Sequence, residues 1–305
     1  MDDFYRSIAT EVYVSDSSVV DRKNNRVLYT SSCEKSLIGW LCNYLYLKYY
    51  ACDKNGLKRL FDREARYGTV VDLEEPDVVK AVISGCSHEK CFDRSWKRID
   101  DGRCVTNGVL ILEHDPESFI KVDGNEYVVR NAIQRFLLPG WLYITGVHGF
   151  DSSELTEIFR YYHSVSGPAC LEEAFCLLTS ALNSEGFEYR VKVANNKSGL
   201  GRNDALVLYS KHPLPVKIMK KIGLSFDSDN RAWESCPFVG SIPGGWGYAK
   251  ELFRSVDSFR ASYGQKCCFL LARGLILADS SVESCIALMK KSFIDGKLDF
   301  DGACV

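Results

Sequence analysis

Phe187, Tyr189, Val191 and Val193 alternate with Glu188, Arg190 and Lys192, the period-two pattern of a strand with one face in a core and the other among polar groups. An apolar run follows from Ala205 to Tyr209, and Gly199 and Gly201 punctuate the stretch between. The pattern predicts two neighbouring strands joined by a short loop over Phe187–Tyr209. Upstream, Leu171, Ala174, Phe175, Leu178 and Leu182 recur at helical spacing after Pro168, predicting a helix to about Asn183. A second stripe, Leu37, Trp40, Leu41, Tyr44, Leu45, Leu47 and Lys48, predicts a helix from about Glu34, capped from Ser31 or Ser32. Leu57–Tyr67 and Asp77–Ser84 are shorter helix candidates, so the first 80 or so residues read as mainly helical.

From Cys91 the pattern changes to strands and turns. Trp96–Ile99, Val105–His114, Tyr127–Arg130 and Trp141–Gly146 have strand character, separated by turn signals at Asp100-Asp101-Gly102, Asn107-Gly108, Asp123-Gly124 and Pro139-Gly140. Leu155–Val165 continues extended. After the central hairpin come a helix at Pro215–Ile222, a Pro/Gly-rich loop at Pro237–Gly247, and helices at Tyr263–Ala278 and Val282–Phe293. The fold class is α+β: a helical N-terminal part, then an antiparallel sheet with flanking helices. The division read from the sequence is residues 1–85, mainly helical, and 86–305, α+β, or one continuous domain.

Composition narrows the function classes. With 46% hydrophobic and 26% charged residues the chain is an ordinary globular one, and its net charge of −2 argues against nucleic acid as a partner. No apolar run reaches the length of a membrane span, so no membrane partner is expected. The 13 cysteines are scattered through core-like segments without a leader-like start, as in a reducing, cytoplasmic compartment. Cys86, His88 and Cys91 form CSHEKC, but a structural zinc needs a second spaced pair and the sequence offers none; no metal is expected.

Lys192, Arg202, Asp204 and Tyr209 all lie on or beside the central pair of strands. A lysine, an arginine and a phenol converging on one patch of sheet suit a phosphorylated ligand, because Arg offers a planar fork and Lys can lose its proton when desolvated. The same pattern also fits a hairpin with a solvated cationic face. His163, beside three aromatics on an extended segment, reads either as a structural residue or as an acid. The glycines at Gly199 and Gly201 read as turn residues or as a small anion-binding nest.

The succession LCNYLYLKYY, SWKRIDDGRCVTNGVLILEHDPE, LPGWLYITG, IFRYYHSV, LTSALNSEGFEYRVKV, GRNDALVLY, CPFVGSIPGGWGYAKE and ASYGQKCCFLLARGL resembles the Hrp outer protein A (HopA) type III effector family. That family includes the phosphoserine/phosphothreonine lyase-like components of class V lanthipeptide and thioamide-peptide biosynthesis. The resemblance implies elimination of phosphate from a phosphorylated precursor peptide, leaving dehydroalanine or dehydrobutyrine, with no cofactor. It implies Lys192 as the base and Arg202 as a phosphate ligand, with Asp204 supporting. Arg160 and Tyr209 are further pocket residues, and His163 is the acid that protonates departing phosphate. Family members commonly end the late Ser-aromatic-Gly motif with Arg, whereas here Lys266 is followed by Cys267; if that Arg is a phosphate ligand, the chain either substitutes Lys266 or Arg260 for it or has lost part of the site.

A separate kinase-like phosphotransferase is the expected partner, because the chain shows neither a Gly-rich phosphate loop followed by Lys nor an HRD-like catalytic loop. Two other readings stand beside the lyase: a non-catalytic subunit that binds a peptide or a kinase, and a secreted effector that enters a host cell and binds host proteins.

Overall fold

The computed structural model describes residues 2–62, 74–94, 96–99, 104–106, 111–113, 118–122, 124–135, 137, 139–151, 157–226, 238–252 and 262–295. Several sequence expectations lie outside them: the Asp100–Gly102 and Asn107–Gly108 turns, the end of the Leu57–Tyr67 helix, His114 and Arg260. The chain divides into two compact units, one of Met1–Val70, Arg231–Gly240 and Val256–Val305, the other of Val71–Asn230 and Ser241–Ser255.

In the first unit, helix α1 (Asp2–Glu11) leads into an antiparallel meander of β1 (Val12–Ser15), β2 (Ser18–Asp21) and β3 (Arg26–Thr30). Helices α2 (Glu34–Leu45) and α3 (Lys54–Phe61) follow, with a π-helical turn at Tyr46–Tyr50 between them. The predicted stripe is buried at Leu37, Trp40, Leu41, Tyr44 and Leu45 of α2, while Leu47 and Lys48 fall in the π-helical turn and are half-buried. The region is mainly helical, as read, and the meander is an addition that the sequence reading did not contain. Its first turn, Asp16-Ser17, places both residues at positive φ (46° and 64°) without a glycine, so the usual hairpin signal is missing. Helices α8 (Tyr263–Leu277) and α9 (Val282–Asp295) complete the unit. Ser262 caps α8 in a reciprocal box with Gln265, the Tyr263 hydroxyl donates to the Phe238 carbonyl at 3.1 Å, and Gly264 lies against the Tyr50 ring. The Ser-Tyr-Gly motif thus builds the start of α8.

The second unit is organised around a seven-stranded sheet in the order β10-β11-β13-β14-β12-β16-β15. These strands are Ile133–Gln134, Trp141–Thr145, Tyr189–Ala194, Leu206–Ser210, Glu157–His163, Trp246–Leu252 and Gly240–Ile242 respectively. The hairpin over Phe187–Tyr209 is present as antiparallel β13 and β14, with Lys192 opposite Val207 and Arg190 opposite Tyr209. Tyr189, Val191 and Val193 of β13 and Leu206 and Leu208 of β14 enter one core with α4 (Pro76–Gly85), α5 (Leu171–Ser184) and α7 (Val216–Ser225). All five predicted apolar positions of α5 are fully buried. Removing the ring of Phe175 would open a cavity costing about 3–5 kcal/mol.

Two three-stranded antiparallel sheets also belong to this unit: β4 (Lys90–Asp93), β9 (Asn125–Asn131) and β8 (Phe119–Val122), and β5 (Lys97–Ile99), β6 (Cys104–Thr106) and β7 (Ile111–Glu113). Val122 at the end of β8 pairs with Asn125 at the start of β9, and Gly124 takes φ 78°. The sequence reading of Pro237–Gly247 as a loop holds only in part, because β15 and the start of β16 fall there.

Candidate functional site

Alternation sends the even-numbered side chains of β13 to the face opposite the α5 core. Two cross-strand rows build that face. One runs Thr145, Arg190, Tyr209, Arg160, Ala249 across β11, β13, β14, β12 and β16; the next runs Tyr143, Lys192, Val207, Tyr162, Gly247. Arg160 and Arg190 therefore flank Tyr209 on either side, and Lys192 stands one diagonal away, within reach of long side chains.

The loop from β13 to β14 adds Arg202 and Asp204. It turns through the short helix α6 (Lys197–Leu200), where the Asn196 side chain accepts from the Gly199 N–H at 2.9 Å. That bond uses the Gly199 donor which a nest would have offered to an anion. Ala194 N–H then donates to Ala205 O at 2.9 Å, and the closed loop leaves Arg202 and Asp204 at the end of the hairpin. Asp204, buried, receives Nε and Nη2 of Arg202 at 2.9 and 3.0 Å, a two-point pairing that fixes the guanidinium plane. Arg160 donates Nη2 to the buried Glu251, and its guanidinium lies 5.1 Å from the Tyr209 ring centroid. Trp141 is the common neighbour of Lys192 and Arg202, with Lys192 Nζ at 3.7 Å and Arg202 Cζ at 5.4 Å from its ring centroid.

The electrostatics of this face depart from ordinary values. Burial pushes the Lys192 ammonium down to about 8; Asp204 opposes the shift, and Arg202 and Arg160 reinforce it. Burial raises the Tyr209 phenol, which Arg160 only partly counters, so it stays an O–H donor at neutral pH. Burial likewise pushes Tyr143, the cross-strand partner of Lys192, up to about 12. The patch holds a lysine close to the pH at which it becomes a base, beside guanidinium groups and two protonated phenols.

Of the residues nominated from sequence, the fold gathers Lys192, Arg202, Asp204, Tyr209 and Arg160 on this face. It does not place His163 there. Three residues beyond Arg160 on β12, that side chain points into the α5 core opposite Leu206, with ring centroids 5.0 Å from Phe226 and 4.7 Å from Trp246. Its Nδ1 meets Ser164 O and its Nε2 lies 2.9 Å from Gly244 O, while burial lowers its pKa. The role of acid at the Lys192 face is therefore withdrawn from His163, on grounds of strand parity. Lys266 is half-buried in the first turns of α8, in the first unit, and Cys267 beside it is fully buried.

Arg190, Tyr143, Trp141 and Glu251 are part of the face without having been nominated. The signal for Arg190 was in the sequence, since it shares the even-numbered face with Lys192. Glu251 was hidden inside a stretch without clear alternation.

Among the described residues no group of three or more His, Cys, Asp or Glu is placed to hold a metal ion. Cys86 Sγ lies 3.6 Å from His88 Nδ1, but His88 Nε2 is directed at Thr145 O at 2.8 Å. Cys91 is buried in β4 opposite Arg130. No described helix is long and apolar enough to cross a membrane. A cavity of about 1050 Å³ lies in the first unit, lined by Cys33, Ile38, Cys42, Gln265 and Phe269 among others. Its lining is mainly apolar, so the half-buried cationic face of the second unit is the better match for an anionic ligand.

The model of the HopA1 effector protein family matches residues 135–302. Two solved structures are similar. The effector protein from Pseudomonas syringae pv. tomato strain DC3000 is 15% identical with a TM-score of 0.34, over 53% of this chain and 61% of that one. The effector protein from Pseudomonas syringae pv. syringae strain 61 is 14% identical with a TM-score of 0.41, over 87% and 94%. The chain thus covers less than two thirds of the first structure's length. No curated protein matches. The matched span is more than half of the chain and contains Arg160, Lys192, Arg202, Asp204 and Tyr209, and on that span the chain belongs to the HopA1 effector protein family.

Proposed function

We propose that this face eliminates phosphate from phosphoserine or phosphothreonine in a peptide. The observation that carries the reading is a half-buried lysine with its pKa pushed down to about 8, beside Arg202 and Arg160 on one sheet face. Neutral Lys192 takes the α-proton, the C–H electrons form the Cα=Cβ bond, and the Cβ–O bond breaks as phosphate leaves. Arg202 and Arg160 stabilise the charge on the leaving group, and the Tyr209 phenol, still protonated, donates to the departing oxygen. The products are inorganic phosphate and dehydroalanine or dehydrobutyrine; no cofactor takes part.

In this reading a separate kinase-like phosphotransferase phosphorylates the peptide, as in lanthipeptide-type biosynthesis. The protein works in the cytoplasm, or inside a host cell if it is delivered as an effector.

The test is incubation with a phosphothreonine peptide and mass spectrometry for loss of phosphoric acid. Lys192→Ala is expected to abolish elimination while the phosphopeptide still binds, and Arg202→Ala to weaken binding as well. Lys192→Arg is expected not to rescue, because a guanidinium stays protonated. Full elimination by Lys192→Ala removes Lys192 from the role of base.

One observation favours a second reading, a non-catalytic phosphopeptide- or kinase-binding subunit. A lysine with pKa about 8 is mostly protonated at pH 7, and a bound phosphate dianion holds its proton more firmly still. Wild-type protein that binds the phosphopeptide without eliminating decides for this alternative.

A further inference from the structure

The carboxylates on this face answer only some of its cations. Asp204 pairs with Arg202 through two bonds, and Glu251 pairs with Arg160. Neither Lys192 nor Arg190 forms an ion pair with a carboxylate among the described residues, Asp204 acting on Lys192 through its charge alone: Lys192 lies over the Trp141 ring, and Arg190 reaches the Phe150 carbonyl at 3.5 Å and the Phe150 ring at 5.3 Å. Among the described residues, the group of Arg160, Arg190, Lys192 and Arg202 with Asp204 and Glu251 carries two positive charges in excess while Lys192 is protonated. Those two charges sit on Lys192 and Arg190, two residues apart on the same face of β13 and hence roughly 7 Å apart at Cα.

We propose that Arg190 is a phosphate-binding residue of this site, taking the phosphate of a phosphopeptide between itself and Lys192 over Tyr209. The proposal rests on the phosphopeptide reading for the class of ligand. Arg160 and Arg202 then act chiefly as positioned charges, each held in orientation by its carboxylate, and a ligand has to compete with those carboxylates for their donors. Arg190 gives up one long bond to a neutral carbonyl and a contact with the Phe150 ring, and no carboxylate, so it offers its fork at the smallest loss. It stands directly opposite Tyr209 across β13 and β14, so Tyr209 lies between it and Arg160, whose guanidinium packs on the phenol ring. Both phenols near it, Tyr209 and Tyr143, feel its charge.

The experiment measures binding without turnover. In the Lys192→Met protein, titration calorimetry follows a phosphothreonine peptide, the same peptide with threonine, and inorganic phosphate. Adding Arg190→Gln is expected to weaken the phosphopeptide and inorganic phosphate by about tenfold or more and to leave the threonine peptide unchanged. Arg190→Lys is expected to recover part of the loss, since an ammonium keeps the charge without the fork. If Arg190→Gln fails to fold, Arg190→Lys alone decides: threefold or greater weakening is expected, and unchanged affinity overturns the proposal. Affinity within twofold of the parent in Arg190→Gln, or no phosphopeptide binding by the unsubstituted chain, also overturns it. Loss of binding in Arg190→Gln together with a wild-type protein that never eliminates phosphate sinks the lyase reading and leaves this one standing. Elimination by wild type with unchanged affinity in Arg190→Gln sinks this one alone.

Discussion

Lys192 Nζ sits 3.7 Å from the centroid of the Trp141 ring, and the ring acts on it in two opposed ways. As an apolar cover it desolvates the ammonium and lowers its pKa; as a quadrupole it stabilises the cation and raises it. Two substitutions separate the effects. Trp141→Leu keeps much of the cover and removes the π face, so the Lys192 pKa is expected to fall below about 8. Trp141→Ala admits water, so it is expected to rise back toward 10.5. The pH dependence of acylation at Lys192, read by peptide mass spectrometry, distinguishes them without reference to catalysis. Equal shifts in the same direction would show that the ring is not what sets the lysine's environment.

The depressed lysine pKa is a cost to folding with a definite pH window. Below about 8 Lys192 is protonated in both folded and unfolded chains, and the folded state bears the whole penalty. Between about 8 and 10.5 the unfolded chain binds more protons, so stability rises with pH and the penalty disappears. Lys192→Met is expected to stabilise the protein at pH 7 by about 1–2 kcal/mol, after allowance for partial exposure and the lost contact with Trp141. Urea midpoints at pH 7 and pH 10 check this; a gain that is as large at pH 10 as at pH 7 contradicts the assignment.

Asp204 is the main group holding the Lys192 pKa up, and it also fixes Arg202. Asp204→Asn removes the charge at nearly constant shape. The Lys192 pKa is expected to fall further, moving any rise of elimination rate with pH to lower pH, while stability drops by about 1–3 kcal/mol because the buried partner of Arg202 is lost. An unmoved pH profile in a folded Asp204→Asn protein would separate Asp204 from the lysine.

How much of this was legible beforehand depended on period. The α5 stripe and the β13 alternation are strong periodic signals, and their core faces are buried as read. The same alternation, carried through β12, separates Arg160 from His163: three residues along a strand reverse the face, whatever the local chemistry suggests. Trp246–Leu252 was hidden because both its faces are covered, Trp246 by core and Glu251 by Arg160, so apolar and polar positions do not alternate. The first meander was hidden because its turn reaches positive φ with Asp16 and Ser17 instead of glycine.

Glu11, at the end of α1, accepts from Tyr44, Lys48 and Tyr49, the last at 2.6 Å, which ties the helix to α2 and the π-helical turn. Burial pushes its carboxyl up, but the hydrogen bonds from Lys48, Tyr44 and Tyr49 outweigh burial and leave it below its ordinary 4.5. A carboxyl depressed on folding contributes stability that is fully present above about 4.5 and is lost as pH falls through the lower, folded value. Glu11→Gln cannot be protonated there, and its amide presents a donor where donors already converge. It is expected to cost about 1–3 kcal/mol at pH 7. The difference from wild type should shrink at pH 3, where wild type has begun to lose its own carboxylate. Chemical unfolding of both proteins at the two pH values makes the comparison, and a difference that stays constant would place the stabilising role of Glu11 in packing, apart from its charge.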